Sequence, residues 1–190
     1  ESSRRLGSGL AKLHRSAAGP WGWHRDGYIG RLPQRNSPDE SWAGFWWNQR
    51  LAPQLERSGH GPPGESGWDR LARALPELLA PAEDEGPSLL HGDLWGGNVL
   101  HSTEGPALVD PACYRGHREV DLAMAELFGG FSPLFFEVYE EKWPLAPGWR
   151  VRRHIYQLYY LLVHVNLFGA SYWSRTASTL RAVLGTIADD

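Results

Sequence analysis

The chain has 190 residues, a formal net charge of −3 and 42% hydrophobic residues. This length suits one domain with a buried core, and the hydrophobic content excludes a disordered chain. A near-neutral charge without a basic block excludes an electrostatic surface for nucleic acid, and no apolar run is long enough to span a membrane.

The first third of the sequence predicts helices joined by loops. Apolar residues at helical spacing predict a helix at residues 3–15. Residues 16–36 are rich in Gly and Pro and predict an ordered loop. Ser37, followed by Pro38 and two acidic residues, has the composition of a helix start, and this helix is predicted to extend to about Arg57.

A second helical segment is predicted before the centre of the chain. Residues 58–66 form a Gly- and Pro-rich connection that contains His60, and they predict a solvated loop. Residues 68–80 then carry apolar side chains at helical spacing and predict a helix. The acidic residues 81–87, bounded by prolines, predict a turn.

The central motif is the stretch 89–100, LLHGDLWGGNVL, in which a glycine-containing loop lies between two short apolar strands. Asp93 followed five positions later by Asn98 matches the catalytic loop of kinases. In that loop the Asp accepts the proton of the substrate hydroxyl and the Asn holds Mg²⁺. A second carboxylate is expected at the end of a following strand, and residues 107–109 lead into Asp110. Each residue alone is typical of a turn, but the three in this order indicate phosphoryl transfer.

The last part of the chain predicts a loop after Asp110 and then a series of helices. The helix at residues 150–168 is the most apolar, so it is predicted to lie at the centre of the fold. His164 and Asn166 interrupt its apolar character and are either a buried, hydrogen-bonded pair or part of the rim of a substrate pocket. The predicted helices of this part are 122–128, 133–143, 150–168 and 172–187.

Tryptophan and cysteine contents are both informative. The ten tryptophans are either a sugar-binding surface or core, and their large apolar area favours core for most of them. Trp95 is the exception, because it lies inside the central motif and is predicted to face a substrate. The single cysteine, Cys113, excludes an internal disulfide framework and fits a cytoplasmic compartment.

Several motifs together resemble the fructosamine kinase family. They are HGDLWGGN at residues 91–98, DPA at 110–112, YRGHREVDLA at 114–123, FGGF at 128–131, YIG at 28–30 and LPQ at 32–34. The resemblance implies phosphorylation of a ketosamine, either a small molecule or protein-bound, by ATP with Mg²⁺. It also implies a fold that is mainly α with a small β component, as in the C-terminal, large lobe of a protein-kinase-like fold.

The resemblance assigns roles to the three residues of the central motif. Asp93 is expected to orient the acceptor hydroxyl and take its proton. Asn98 and Asp110 are expected to hold Mg²⁺ against the phosphates of ATP, since oxygen ligands suit this cation.

Five further residues are expected to act around this centre. Trp95, His117 and Glu119 are expected to lie near the ketosamine. His91 and Asp121 are expected to support the catalytic loop from within the protein.

The domain organisation expected from this resemblance is a single large lobe over residues 1–190, with the catalytic loop at 89–100 and the metal-binding strand end at 107–112. The glycine-rich loop and strand-borne lysine of a kinase are expected in a small lobe upstream. Lys12 lies in a predicted helix and does not fit that role. The isolated chain is therefore expected to be inactive.

Two other functions remain open at this point. One is a related kinase whose acceptor is an aminoglycoside, choline or another small alcohol. The other is a non-catalytic binding or regulatory protein that keeps only the kinase-like lobe. The sequence also leaves the oligomeric state open.

Overall fold

The computed structural model describes residues 1–17, 19–59 and 67–187, and the chain is mainly helical with a small β component. The α-helices are α1 (Ser2–His14), α2 (Trp42–Phe45), α3 (Ala52–Ser58), α4 (Gly67–Leu78), α5 (Ala80–Glu85), α6 (Glu119–Phe128), α7 (Pro133–Lys142), α8 (Trp149–Phe168) and α9 (Trp173–Leu184). The strands are β1 (Gly27–Ile29), β2 (Leu32–Gln34), β3 (Ser88–Leu90), β4 (Val99–Ser102), β5 (Gly105–Leu108) and β6 (Tyr114–Gly116). Most of the predicted connection at 58–66, including His60, lies outside the described residues.

Helix α8 forms the centre of the core, as its sequence predicts. Its buried side chains include Ile155, Leu158, Leu161 and Leu162, each with no exposed surface. A helix that is apolar around its circumference is stable only when other elements surround it, and α8 packs against α3, α6 and α9. Within the described part of the chain, no helix has both the length and the apolar character needed to cross a membrane.

A second group of buried side chains connects the catalytic loop to the first helix. Leu94 of the loop packs with Leu10 of α1, Leu122 of α6 and Phe135 of α7. Helices α1 and α7 lie against each other along their lengths. The loop is therefore anchored by apolar contacts as well as by its strands.

The tryptophans divide as the sequence predicts. Trp42 and Trp46 have no exposed surface, and Trp21 and Trp68 are each 6% exposed. The Nε1 atom of Trp42 also donates a hydrogen bond to the hydroxyl of Tyr156 on α8. These four side chains therefore belong to the core, where their large apolar area contributes to stability.

Three antiparallel strand pairs, β1–β2, β3–β6 and β4–β5, form the β component of the described residues. The prediction of an ordered loop at 16–36 is wrong for part of the segment, because residues 27–34 contain the β1–β2 hairpin. The loop predicted after Asp110 likewise contains β6, which pairs with β3. On its other side, Arg115 of β6 exchanges two backbone hydrogen bonds with Gly22. The β3–β6 pair holds the segment after Asp110 beside the catalytic loop.

The predicted helix start at Ser37 is wrong by several residues. Helix α2 begins at Trp42, and Ser41 is its N-cap, because the Ser41 hydroxyl accepts a hydrogen bond of 3.0 Å from the Gly44 N–H. Asp39 instead forms a β-bridge with Trp21. After α2, a wider helical stretch leads into α3, which ends at Ser58 as expected for this helix.

The predicted turn at 81–87 is also wrong, because most of it folds into α5. Pro81 lies in the first turn of this helix, where the missing N–H of proline has no cost. The carboxylate of Glu83 in α5 accepts hydrogen bonds from the N–H groups of Trp42 and Ala43. Helix α5 thus caps the start of α2, a role that only the folded chain reveals.

Two ion pairs lie around the start of α6, of which Arg152–Glu119 is buried and Arg118–Glu85 is partly buried. Arg118 binds Glu85 through two hydrogen bonds of 2.7 Å, and Arg152 of α8 binds Glu119 at 2.7 and 2.8 Å. Burial alone would raise the pKa of Glu85, but the hydrogen bonds from Arg118 and His117 lower it to about 2. Glu85 therefore stays ionised, and the two ion pairs fix α6 against its neighbours.

The variant Glu119→Gln is expected to lower the free energy of unfolding by about 3–5 kcal/mol, because it leaves the buried charge of Arg152 without its counter-ion. Urea denaturation of the purified protein measures this loss. Glu126→Gln is the matched control. Glu126 also lies on α6 and pairs with Arg153, which follows Arg152 on α8, but both side chains are about 30% exposed. The control should lose at most about 1 kcal/mol. Equal losses in the two variants would contradict the role given to burial.

Candidate active site

The catalytic loop brings Asp93 and Asn98 side by side. The loop follows β3, closes with a 3₁₀ turn over Gly96–Asn98 and continues into β4. The Nδ2 atom of Asn98 donates to the backbone oxygen of Asp93 at 2.9 Å and to its Oδ2 atom at 3.2 Å. Because the amide nitrogen makes both bonds, the amide oxygen of Asn98 remains available as a ligand.

The carboxyl group of Asp93 is in a partly desolvated position. Burial raises its pKa, and the charges of Asp121 and Asp110 raise it further, whereas the hydrogen bond from Asn98 opposes the increase.

His91 connects the catalytic loop to the strand that leads into Asp110. Its Nε2–H donates to the backbone oxygen of Val109 at 2.9 Å, and its Nδ1 atom accepts from the Asp93 N–H at 3.3 Å. The Val109 N–H in turn donates to the backbone oxygen of Asn98 at 3.0 Å. The two loops that carry the predicted site residues are thus joined directly.

Asp110 has a backbone φ of 50°, and no other non-glycine residue of the described ranges has a positive φ. Asp adopts this left-handed conformation at less cost than most residues, yet it remains strained. The conformation is held by neighbouring contacts, such as the 2.8 Å hydrogen bond from the Ala112 N–H to the backbone oxygen of His91.

Asp121 lies beneath the catalytic loop and has no exposed surface. Its carboxylate accepts hydrogen bonds of 2.8 Å from the N–H groups of His91 and Gly92, and one of 3.1 Å from the Nε2 atom of His14. Burial alone would raise the pKa of Asp121, but these donors bring it below the ordinary value. Burial lowers the pKa of His14, whose other ring nitrogen accepts from the Tyr139 hydroxyl at 2.7 Å.

A cavity of about 420 Å³ opens beside the catalytic loop. Asp93 and Trp95 form the part of its wall that belongs to the loop, and Trp95 is 41% exposed. The rest of the wall comes from the β1–β2 hairpin, α6, α8 and the turn before α9. These residues are Ile29, Gly30, Met124, Phe128, Tyr160, Val163, His164, Leu167, Phe168 and Tyr172.

An aromatic group surrounds His164 in this cavity. The ring of Phe128 stacks on His164 at 4.1 Å between centroids, and the rings of Phe168 and Tyr172 lie at 5.3 and 5.0 Å. Burial lowers the pKa of His164, although its hydrogen bond to the Tyr160 carbonyl opposes this. The neutral ring donates Nδ1–H to that carbonyl at 2.8 Å, which makes Nε2 the acceptor atom.

Other residues singled out from the sequence lie elsewhere. His117 and Glu119 have no exposed surface, and both oxygens of Glu119 bind Arg152, so neither side chain is part of the cavity wall. Asn166 donates to Gln54 and does not pair with His164. Of Trp95, His117 and Glu119, the structure brings only Trp95 to the cavity beside Asp93, and His164 also lines this cavity.

The residues of α6 and α8 in the cavity wall were missed from the sequence, apart from His164. One signal for them is present: His164 and Phe168 are four residues apart, which puts their two rings on the same side of α8. A second signal is Phe128, which directly precedes the glycine pair at the end of α6.

Comparison with known proteins places this geometry in context. A sequence model of the fructosamine kinase family matches residues 1–186. An Enterococcus faecium protein named "Probable ketoamine kinase" is 42% identical over 182 residues, which cover 93% of this chain and 65% of that protein. The ketosamine-3-kinase of Mus musculus is 38% identical over 180 residues, which cover 93% of this chain and 58% of the mouse protein.

Solved structures agree on the fold. A crystal structure of a candidate fructosamine-3-kinase from Thermobifida fusca YX-ER1 has a TM-score of 0.88 and 43% identity, and the match covers 98% of this chain and 66% of that one. A choline/ethanolamine kinase family protein from Mesorhizobium loti matches with a TM-score of 0.56 at 16% identity, over 97% of this chain and 62% of its own. The second likeness concerns the fold alone.

The chain spans about 65% of the length of the Enterococcus relative that it matches. Within that span the family match runs from the first residue to residue 186 and includes the catalytic loop, the Asp110 segment and the cavity wall. The chain belongs to the fructosamine kinase family.

Proposed function

We propose that the protein containing this chain transfers the γ-phosphoryl group of ATP to a sugar hydroxyl of a ketosamine. The observation that carries the proposal is the position of Asp93, whose carboxyl group lies beside Asn98 and also lines the cavity. A group that contacts both a candidate metal ligand and an acceptor pocket is what in-line phosphoryl transfer requires. The names of the relatives supply the acceptor class.

The role proposed for Asp93 is to orient the acceptor hydroxyl and accept its proton. Phosphoryl transfer has a loose transition state, so positioning contributes more than proton removal. The hydrogen bond from Asn98 fixes the carboxylate, and burial raises its pKa, which makes it a better base than an exposed aspartate.

Asn98 and Asp110 are proposed to hold Mg²⁺. In the described ranges no three His, Cys, Asp or Glu side chains form a metal cage. Mg²⁺ in kinases fits such a sparse site, because it takes one or two protein oxygens and completes its shell with phosphates and water. Bound Mg²⁺ would neutralise charge on the phosphates, while the contacts of His91 keep the two ligand-bearing loops together.

The acceptor proposed for the cavity is a ketosamine and not a polycation. Asp93 is the one acidic residue among the described residues that line the cavity, and the other side chains are apolar or aromatic. An aminoglycoside carries several ammonium groups, which need several carboxylates to replace their hydration. A sugar with a single amine instead suits aromatic walls such as Trp95 and the rings around His164.

We also propose that the chain corresponds to the large lobe of a kinase. The described residues supply the catalytic loop, the Asp110 segment and the acceptor cavity, all of which belong to that lobe in kinases. The remaining third of the relatives' length is available for a nucleotide-covering lobe. Tests of activity therefore require the complete product of the gene.

The variant Asp93→Asn is expected to lower kcat by about 10²–10⁴-fold, because the amide cannot accept the hydroxyl proton. Phosphorus NMR with Mg-ATP and a fructosyl-lysine analogue measures the sugar phosphate formed. An aminoglycoside is tested in parallel as the rival acceptor. Near-normal turnover by the variant would refute the role of Asp93, and transfer to the aminoglycoside alone would overturn the acceptor.

The variant Asp110→Asn is expected to weaken Mg²⁺-dependent ATP binding by about tenfold or more, or about 1.4 kcal/mol. Asn tolerates the left-handed backbone of Asp110, so the change removes charge without adding strain. Calorimetric titration with and without Mg²⁺ measures the effect. Asp84→Asn, at an exposed position of α5, controls for the change in net charge. If Mg²⁺ increases the ATP affinity of Asp110→Asn as much as that of the parent protein, Asp110 is not a metal ligand.

A further inference from the structure

The indole of Trp95 lies over the backbone of Gly97. A Cβ atom added to Gly97 would collide with the Cη2 and Cζ2 atoms of the indole and lie 2.6 Å from Cζ3. Real Cβ atoms do not approach carbon so closely, since interiors are packed at van der Waals distances. The benzene half of the indole thus occupies the space that any side chain at position 97 would need.

The backbone conformation at position 97 does not require glycine. It lies in the 3₁₀ turn Gly96–Asn98, and its φ is not positive. Gly92 in the same loop differs, because its φ is 81° and an added Cβ would meet the Ala112 backbone. An alanine at position 97 is therefore acceptable to the backbone, and what it disturbs is the indole.

Gly96 has a different neighbour. A Cβ at Gly96 would lie 2.7 Å from the Cα of Gly130, in the turn after α6, and the Gly96 N–H donates to the Gly129 oxygen at 3.0 Å. A substitution there would separate two backbones. At Gly97 the obstacle is the far end of a side chain that is 41% exposed, so the indole can rotate away while the loop stays in place.

We propose that Gly97 is a positioning residue for the acceptor. Its lack of a side chain lets the Trp95 indole lie along the cavity wall, and this sets how tightly the site holds the sugar. The inference rests on the proposed kinase function, because its first test measures the KM for a ketosamine acceptor. Gly97 itself touches neither acceptor nor metal in this scheme and acts through Trp95.

The first test compares Gly97→Ala, Trp95→Ala and the double variant in the complete protein, with a fructosyl-lysine analogue as acceptor. Gly97→Ala is expected to raise the acceptor KM by about three- to tenfold, the range for loss of one aromatic contact. The increase in KM should exceed any decrease in kcat. In the Trp95→Ala background the second change should have no further effect, because the obstacle is gone.

Gly9→Ala is the matched control, since Gly9 lies on the exposed side of α1 with open space around its Cα. It should leave the acceptor KM unchanged. An unchanged KM in Gly97→Ala would overturn the proposal. So would an equal increase in KM with and without the Trp95 indole, since Gly97 would then act by another route.

A second measurement does not depend on turnover. The indole ¹⁵N–¹H signal of Trp95, assigned by its absence in Trp95→Phe, should shift in Gly97→Ala while the signals of the buried Trp42 and Trp46 stay in place. An unshifted Trp95 signal would overturn the proposal even if KM changed. If the parent protein phosphorylates no ketosamine, the proposed function fails, and the NMR signal still decides whether Gly97 positions Trp95.

Discussion

The buried carboxylate of Asp121 is the group on which the rest of the site depends. Its hydrogen bonds from the N–H groups of His91 and Gly92 and from the His14 ring join the catalytic loop, α1 and α6 at one point. A charge in the interior that loses a partner costs about 3–5 kcal/mol. The three donors must therefore be in place together. The shape of the catalytic loop is in this way a property of the whole domain, although its sequence is local.

Strain at Asp110 is maintained by further hydrogen bonds, two of which are made by His91. A non-glycine residue with φ of 50° persists only where its surroundings over-determine it. Here the residue before it, Val109, is bonded to both Asn98 and His91, and Ala112 after it is bonded to His91. The proposed metal ligand and the proposed base are thus held by one network, so a change in His91 disturbs both.

The sequence predicts the polar half of the site because that half is local. Asp93, Asn98 and Asp110 lie close together in the sequence, so their spacing can be recognised before the packing that shapes the loop is known. The long helices are also predictable from their periodicity. Strands β1, β2 and β6 are not predictable, because each has three residues, which are too few to establish an alternation of apolar and polar side chains. Helix α5 was missed because proline usually indicates a turn, although the first turn of a helix tolerates it. His117 and Glu119 resemble site residues in sequence, yet packing places them in the buried ion-pair network.

The wall of the cavity beside Asp93 cannot be predicted from a sequence motif in the same way. Its side chains come from the hairpin, α6, α8 and the turn before α9, which meet only after folding. The wall is largely apolar, and apolar walls discriminate by about 1–3 kcal/mol per methylene, far less than a buried hydrogen-bonding group does. Under the proposed function, acceptor choice depends on the placement of a few rings, those of Trp95 and of the group around His164. The hydrogen bonds to Asp121 come from His91, Gly92 and His14, and none of these rings is among the donors, so the proposed acceptor wall and the Asp121 network are separate sets of contacts.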